Sequence, residues 1–526
     1  MHTPFMSRFG WIVSTVLITL AGVLGLVRWS GARTHALPPS TTDLGELFER
    51  APTDENQAFH YTPPVPLARL ATEWEPQRAL VLGMALPELM ADQSIAHYQR
   101  DLLVAAHDLV DVYVFCEHDH TRAMAYFLSL LNELPQAEAV LARTDFVDSR
   151  NLSRWTRDYG PVFGIKPNQG LVMLDHVYRN LTLDLEERVE SKSDSLRKFM
   201  SLQGDAMPGD VAVYLQQRFD TEVDVVRPPL WMDGGDFIHD GKGNVFISAQ
   251  TLVRNGGNKS ALTELFRRYF GAKQLHVLHA LPGSTVNHLD MVIKFLDANT
   301  VVVADYQSDD DENLNRYRRQ LTQSVRTILA ENEAYLRKHF PSLRILKMPM
   351  PPIMFMSEEE ILAEGASEFL QAMAVNWGLT TADNLQHLRQ AELRQLEEST
   401  LHRIRGEVGR VNLSSVDGFN AVLRHYGQLP MDKYFDMHSE SVTRYRSYIN
   451  SLFLHSTAGR QAFLVPRFSG RTTAETARLT AWESQVATTY HQAWPDAEIR
   501  WINCDGMITD MGFIHCTTIT VPDWKL

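Results

Sequence analysis

Chemistry in this 526-residue chain begins with four side chains, Cys516, His288, Asp158 and Asp290, each set in a conspicuous polar cluster. Cys516 lies ten residues from the C-terminus in Gly512-Phe513-Ile514-His515-Cys516-Thr517-Thr518, which reads as a short strand. A free cysteine is most often a small buried hydrophobe, so its position alone does not make it a nucleophile. Three upstream clusters change the balance. Trp155-Thr156-Arg157-Asp158-Tyr159-Gly160-Pro161 is followed by Val162-Phe163 and Ile165, a turn at Pro167 to Gly170, and Leu171 to Leu174. Asp233-Gly234-Gly235-Asp236 is followed by Phe237-Ile238, a turn at Gly241 to Asn244, and Val245 to Ile247. His288-Leu289-Asp290 is followed by Met291 to Leu296, a turn at Asp297 to Thr300, and Val301 to Val303. Each cluster is an acid or histidine group at the mouth of a hairpin, so the three read as a degenerate repeat.

On an extended strand His288 and Asp290, two residues apart, project from one face. With Asp158, Asp233 and Cys516 they supply one thiol, one imidazole and three carboxylates. One histidine without a paired ligand makes a poor zinc signature, so no metal is expected. A cysteine protease has no use for several convergent acids. A planar cation does: a guanidinium offers a fork of N–H donors that carboxylates bind in pairs, and it stays charged at any working pH. Attack on its central carbon calls for a polarizable thiolate, activated by a cationic neighbour, either the substrate or protonated His288.

Taken singly, these residues have bland readings. Asp158 is then a turn acid paired with Arg157, Gly234-Gly235 a bulge, His288 a satisfied core histidine, Asn450 a strand-end cap and Trp155 a core aromatic. Their joint occurrence overturns those readings. Ser308 to Glu312 is read as an acidic helix start rather than a calcium loop.

Trp155-x-x-Asp158-x-Gly160-Pro161, Asp233-Gly234-Gly235-Asp236, His288-x-Asp290, Ser447-Tyr448-x-Asn450 and Ile514-His515-Cys516-Thr517-Thr518, in this order, resemble the bacterial peptidylarginine deiminase and agmatine deiminase family of the guanidine-modifying (pentein) superfamily. The resemblance runs from about Trp74 to Pro522 apart from a helical insertion before Arg444, which is not part of the family's usual pattern. It implies an α/β propeller of five modules around a central site. It further implies that Cys516 attacks the guanidinium carbon, that Asp158 and Asp290 clamp the nitrogens, and that His288 protonates departing ammonia and then activates water. Trp155 matches a position that packs on substrate, Asn450 one near the nucleophile, and Asp233 one that orients His288. Phe513 stands where relatives often have glycine, which narrows the expected space beside the nucleophile.

The net charge of −14 disfavours nucleic acid and suits a cationic substrate. Hydrophobic residues make up 44% of the chain, ample for a core. The three cysteines, Cys116, Cys504 and Cys516, are too few for a disulfide scaffold and lack metal-ligand spacing, although a Cys504–Cys516 bridge would silence the nucleophile.

The elements that must position the clusters follow from periodicity. Strands are expected at Ala79 to Leu82, Val112 to Cys116, Ala139 to Ala142, Val223 to Val226, Gln274 to Leu278, Leu343 to Met348, Ala462 to Val465 and Glu498 to Ile502. Helices are expected around Ile95 to Val110, Thr121 to Leu134, Leu196 to Gln203, Val211 to Phe219, Leu262 to Phe270, Asn313 to Phe340 and Leu479 to Ala493. Alternation of strand and helix, with polar clusters at one end, argues an α/β fold. Phe9 to Val27 is apolar, flanked by Arg8 and Arg28, and just reaches spanning length. It reads as an anchor or a signal peptide within 1–35, followed by a linker at 36–66. The catalytic domain is then expected in two parts, 67–355 and 441–526, with a helical insertion at 356–440 that includes Glu358 to Met373 and Asp383 to Ile404 and acts as a lid or interaction surface.

The expected activity is thiol-dependent hydrolysis of a guanidinium, in peptidyl-arginine, arginine or agmatine, outside the cytoplasm and without a cofactor. The alternatives are an amidinotransferase using the same covalent intermediate and a catalytically silent, membrane-tethered binding module. The sequence carries no statement of oligomeric state.

Overall fold

The computed structural model describes residues 60–84, 89, 92–117, 120–132, 134–149, 153–178, 204–282, 288–307, 316–355, 358–381, 390–427 and 443–524. The apolar run Phe9 to Val27, the helix expected at Leu196 to Gln203 and the acidic run Ser308 to Glu312 lie outside these residues. Among the described residues, no helix is long and apolar enough to cross a membrane.

The protein is a mixed α/β fold in which one frame recurs. Strands Val162–Ile165 and Leu171–Leu174 pair antiparallel, and Val223–Val226 adds parallel after helix Met207–Phe219. The same order is seen for Ile238–His239, Asn244–Ser248 and Gln274–Leu278, and for Ile293–Asp297, Thr300–Tyr306 and Arg344–Met350. It returns in Leu452–His455, Gln461–Arg467 and Glu498–Asn503. In a further four-stranded sheet the frame is closed by segments far apart in the chain: Thr518–Pro522 pairs antiparallel with Gln77–Met84, which continues parallel to Asp111–Glu117 and Thr144–Ser149. Each hairpin has a short apolar return because its strand is covered on both faces by helices and neighbouring sheets.

Crossover helix Lys259–Phe270 shows how sequence specifies these units. Asn258 accepts from the Ser260 and Ala261 amides, and Gly271 at φ 63° stops the helix. Leu262, Leu265, Phe266, Tyr269 and Phe270 fall on one stripe and are buried against the Asn244–Ser248 sheet.

Several expectations are corrected. Residues 139–142 form the end of helix Ala137–Leu141, and the strand is Thr144–Ser149. The alanine- and glutamate-rich run before Arg143 favours helix, whereas Thr144-Asp145-Phe146-Val147 carries the β-branched and aromatic residues. Cys516 lies in a turn, not a strand, because the Thr517 and Thr518 hydroxyls bond back to the carbonyls of Phe513 and Ile514. Leu289–Met291 is a 3-10 turn, so His288 and Asp290 do not alternate along an extended chain. Tyr61 and Thr62, inside the segment read as linker, are packed: Tyr61 is buried, and Thr62 bonds to Arg227 and Tyr269.

Helices Glu358–Asn376, Gln390–Val408 and Val416–His425 have small cores of their own, Leu362, Ala366, Phe419 and Leu423 in one and Leu370, Ile404 and Val422 in another. Their base is a two-stranded ribbon in which Met354 faces Arg444 and Phe355 faces Thr443. Arg446, fully buried, clamps this base by donating to the carbonyls of Pro352 and Ser469 and pairing with Glu475.

Candidate active site

The turns that open the hairpins converge. Thr156–Tyr159 is one short helical turn carrying Asp158, and it is tied to the cysteine turn: the Arg157 amide donates to Cys516 O at 3.1 Å and Thr156 Oγ1 to Thr517 O at 2.6 Å. Asp233 precedes the 3-10 turn Gly234–Asp236, and His288 precedes Leu289–Met291. The two 3-10 turns touch where glycine is required. A Cβ on Gly235 would lie 2.6 Å from His288 Nδ1 and 3.0 Å from Asp290 Oδ2, so only the bare backbone lets imidazole and carboxylate approach.

The structure brings together all four residues assigned to chemistry. Cys516 Sγ is 3.5 Å from Asp290 Oδ2 and accepts from Asn450 Nδ2 at 3.2 Å. His288 Nε2 donates to Asp233 Oδ2 at 2.9 Å, and its Nδ1 is 3.6 Å from Asp158 Oδ1. Asp158, Asp233, His288, Asp290 and Cys516 are all buried. Asp233 thus orients the ring, and Asp290 stands beside the sulfur with its Oδ1 buried and unbonded. One ligand atom each from His288, Asp290 and Cys516 lies within 4.8 Å of the others, near enough to surround a small cation.

Electrostatics follow from the crowding. Burial, reinforced by Asp290 and Asp158, pushes the Cys516 thiol well above its ordinary value. Burial alone would lower His288, but Asp158, Asp233 and Asp290 outweigh it and raise the imidazole to about 9. Asp290 is lowered despite burial, chiefly through its bond to His515 and the charge nearby. At neutral pH the ligand-free site therefore holds a protonated thiol and an imidazolium.

Trp155 is half-buried at the edge of this cluster, with the Arg154 guanidinium 4.7 Å from its ring centroid. Its benzo edge rests on Gly512, where a Cβ would come within 2.2 Å of Cζ3. Phe513, expected to crowd the nucleophile, is fully buried edge-on to Phe468, with centroids 4.9 Å apart. Asp236 belongs to scaffolding: its carboxylate takes the Ser248 amide and hydroxyl and the Thr251 hydroxyl. Cys116, Cys504 and Cys516 form no disulfide, so no bridge closes on Cys516.

Sequence reasoning missed Glu73, Lys294 and Arg157, and it gave His515 no role. Glu73 pairs with Lys294 at 2.6 Å and with Arg157 at 3.1 Å, and His515 Nε2 donates to it. Beside Glu73 and His515 lies a cavity of about 80 Å³, lined also by Arg157, Asp290 and Lys294. The only available signal was compositional, an acid inside Thr72-Glu73-Trp74 ahead of the first long strand.

A profile of the Porphyromonas-type peptidyl-arginine deiminase family matches residues 69–522. No curated protein sequence matches significantly. Among solved structures, the agmatine deiminase of Campylobacter jejuni superposes with a TM-score of 0.52 at 15% identity, over 87% of this chain and 95% of that one. Agmatine deiminase of Enterococcus faecalis gives 0.51 at 15% identity, over 88% and 99%. A Porphyromonas gingivalis protein solved as a candidate arginine deiminase gives 0.53 at 15% identity, over 86% and 98%.

Proposed function

Since the chain belongs to the Porphyromonas-type peptidyl-arginine deiminase family, hydrolases of carbon–nitrogen bonds in amidines, we propose that it converts a guanidinium to a ureido group plus ammonia through a thiouronium on Cys516. The observation that carries this reading is the convergence of one sulfur, one imidazole and two carboxylates: Cys516 against Asp290 at 3.5 Å and His288 against Asp158 at 3.6 Å.

A guanidinium entering between Asp158 and Asp290 brings the positive charge that those carboxylates lack. It thereby cancels the part of the thiol's raised value that Asp290 and Asp158 add to burial, and the thiol proton leaves to solvent. The thiolate attacks the central carbon to form a C–S bond. The C–N bond then breaks, and imidazolium His288 supplies the proton that lets nitrogen leave as ammonia. Neutral His288 next takes a proton from water, whose oxygen attacks the thiouronium carbon; the C–S bond breaks and the ureido product leaves. Neither metal nor cofactor enters these steps. Asp233 keeps the ring turned towards the reacting atoms, and Trp155 lines the approach.

The substrate is a small guanidine or an arginine in a peptide. A Cys-to-Ser variant of the Campylobacter jejuni relative was solved with substrate bound, which supports a small guanidine and a thiol nucleophile. The run Phe9 to Val27 supports export or membrane anchoring of the catalytic part, a placement that recovery of the full chain in a cytoplasmic fraction would refute. The recurring sheets support a five-bladed arrangement around the site, with 356–440 as a helical insertion.

The test is ammonia and ureido formation by a fragment starting at His60, which retains packed Tyr61 and Thr62, offered agmatine, free arginine and a peptide ending in arginine. Turnover abolished by Cys516→Ala establishes the activity and its substrate class. A wild-type fragment that is folded but inert on all three would sink it.

A further inference from the structure

His515 lies next to the nucleophile in sequence, yet its ring is turned to the other side of Asp290. Its Nδ1 donates to Asp290 Oδ2 at 2.7 Å, and its Nε2 donates to Glu73 Oε1. Both ring nitrogens therefore face carboxylate oxygens, in a histidine only 4% exposed. Glu73 is itself held by Lys294 at 2.6 Å and Arg157 at 3.1 Å, and Arg157 Nε returns to the His515 carbonyl at 3.3 Å. The Asp290 oxygen that meets His515 is the same one that meets Cys516 Sγ at 3.5 Å, while Oδ1 carries no bond.

We propose that His515, braced by Glu73, is a positioning residue that fixes Asp290 so that one oxygen stays on the sulfur and the other is presented to the incoming guanidinium. This rests on the reading of Asp290 as a substrate clamp. The physical reason is geometric. A carboxylate free to rotate about its own bonds must lose that freedom when substrate binds, whereas one pinned through Oδ2 has already lost it. Glu73 ties the brace to a distant part of the chain, because it precedes Gln77–Met84 while the cysteine turn runs into Thr518–Pro522, and the two meet where these strands pair. His515 moves no proton in the reaction and touches no substrate.

The experiment compares His515→Gln, His515→Asn and Glu73→Gln with wild type by kcat/KM against pH, alongside thermal melting. Asparagine keeps an N–H near the Nδ1 position and glutamine does not, so glutamine is expected to lose about tenfold or more in kcat/KM, mainly through KM, and asparagine to recover part of it. Because the bond from His515 lowers Asp290, the acid limb of the glutamine profile is expected to move upward. A residue that only filled space would leave that limb in place. Folded variants within about threefold of wild type, with an unmoved acid limb and no difference between Asn and Gln, overturn the proposal. Should the His515 variants fail to fold, Glu73→Gln decides, with the same loss and the same limb shift expected.

Alkylation of Cys516 by iodoacetamide separates the two readings. With the His515 contact to Asp290 removed, Asp290 bears on the sulfur less compensated, and alkylation at pH 8 is expected to slow by about threefold or more. If wild type proves inert on every guanidine, the functional reading fails, and an unchanged alkylation rate in His515→Gln then overturns this proposal independently.

Discussion

Asn450 holds Cys516 from two sides: its Nδ2 donates to the sulfur at 3.2 Å, while its Oδ1 receives the amides of Phe513 at 3.1 Å and His515 at 3.2 Å. One buried amide thus shapes the turn and addresses the nucleophile. Asn450→Ala removes the acceptor of the Phe513 amide and leaves the His515 amide only the backbone carbonyl of residue 450, and is expected to cost about 1–3 kcal/mol of stability. Asn450→Asp keeps the acceptor and puts a carboxylate beside the thiol, so it is expected to keep more stability than alanine while lowering kcat about tenfold or more. Melting curves and initial rates on the two variants check the split, and equal losses in both would count against it.

His288 links stability to pH. Its folded value of about 9 stands above its ordinary 6.5, so the stabilisation is complete below pH 6.5 and is lost as pH rises through about 9. Denaturant unfolding in a Cys516→Ala background, which removes the overlapping thiol, is expected to show up to about 3 kcal/mol of decline across that window. His288→Asn should flatten it. A flat wild-type curve would mean that the imidazole is not held charged.

Asp158 and Asp236, the acid just after the Gly234–Gly235 pair, divide by role. Asp158→Asn removes a carboxylate from the proposed guanidinium clamp and is expected to lower kcat/KM about a hundredfold with a modest effect on melting. Asp236→Asn loosens the Ser248 and Thr251 contacts of a carboxyl that burial raises to about 6. It is expected to lower the melting temperature and leave kcat/KM within about threefold.

Gly235→Ala tests the close approach of two turns. With its Cβ 2.6 Å from His288 Nδ1, either the imidazole or the 3-10 turn must shift. Displacement by a fraction of an ångström to one ångström is expected to cost about a hundredfold in kcat. Wild-type kcat in a folded Gly235→Ala protein would show that the ring position is not critical.

Excising 356–442 and joining Phe355 to Thr443 by an Asn-Gly turn uses a ribbon that already has the register of a hairpin. The shortened protein is expected to fold and to turn over small guanidines at near wild-type kcat. Loss confined to peptide substrates would assign the helices to substrate selection, and loss of folding would show that their cores support the catalytic sheets.

Much of this protein was legible in its sequence because its chemistry is local and repeated. Each hairpin carries its own apolar run, turn and polar mouth, so the repeating frame and the polar clusters whose members Asp158, Asp233, His288, Asp290, Asn450 and Cys516 meet in the fold could be read within windows of a few residues. Backbone detail was less legible. The 3-10 turns at Gly234–Asp236 and Leu289–Met291, and the turn that holds Cys516, exist because side-chain acceptors and close neighbours override the extended preference of short apolar segments. Tertiary structure alone decided the Glu73–His515–Asp290 brace. Glu73 and His515 are 442 residues apart, and neither periodicity nor motif spacing encodes which buried acid a histidine will meet. That contact forms where Thr518–Pro522 closes on Gln77–Met84, since burial there makes an unpaired charge too costly to leave without its partner.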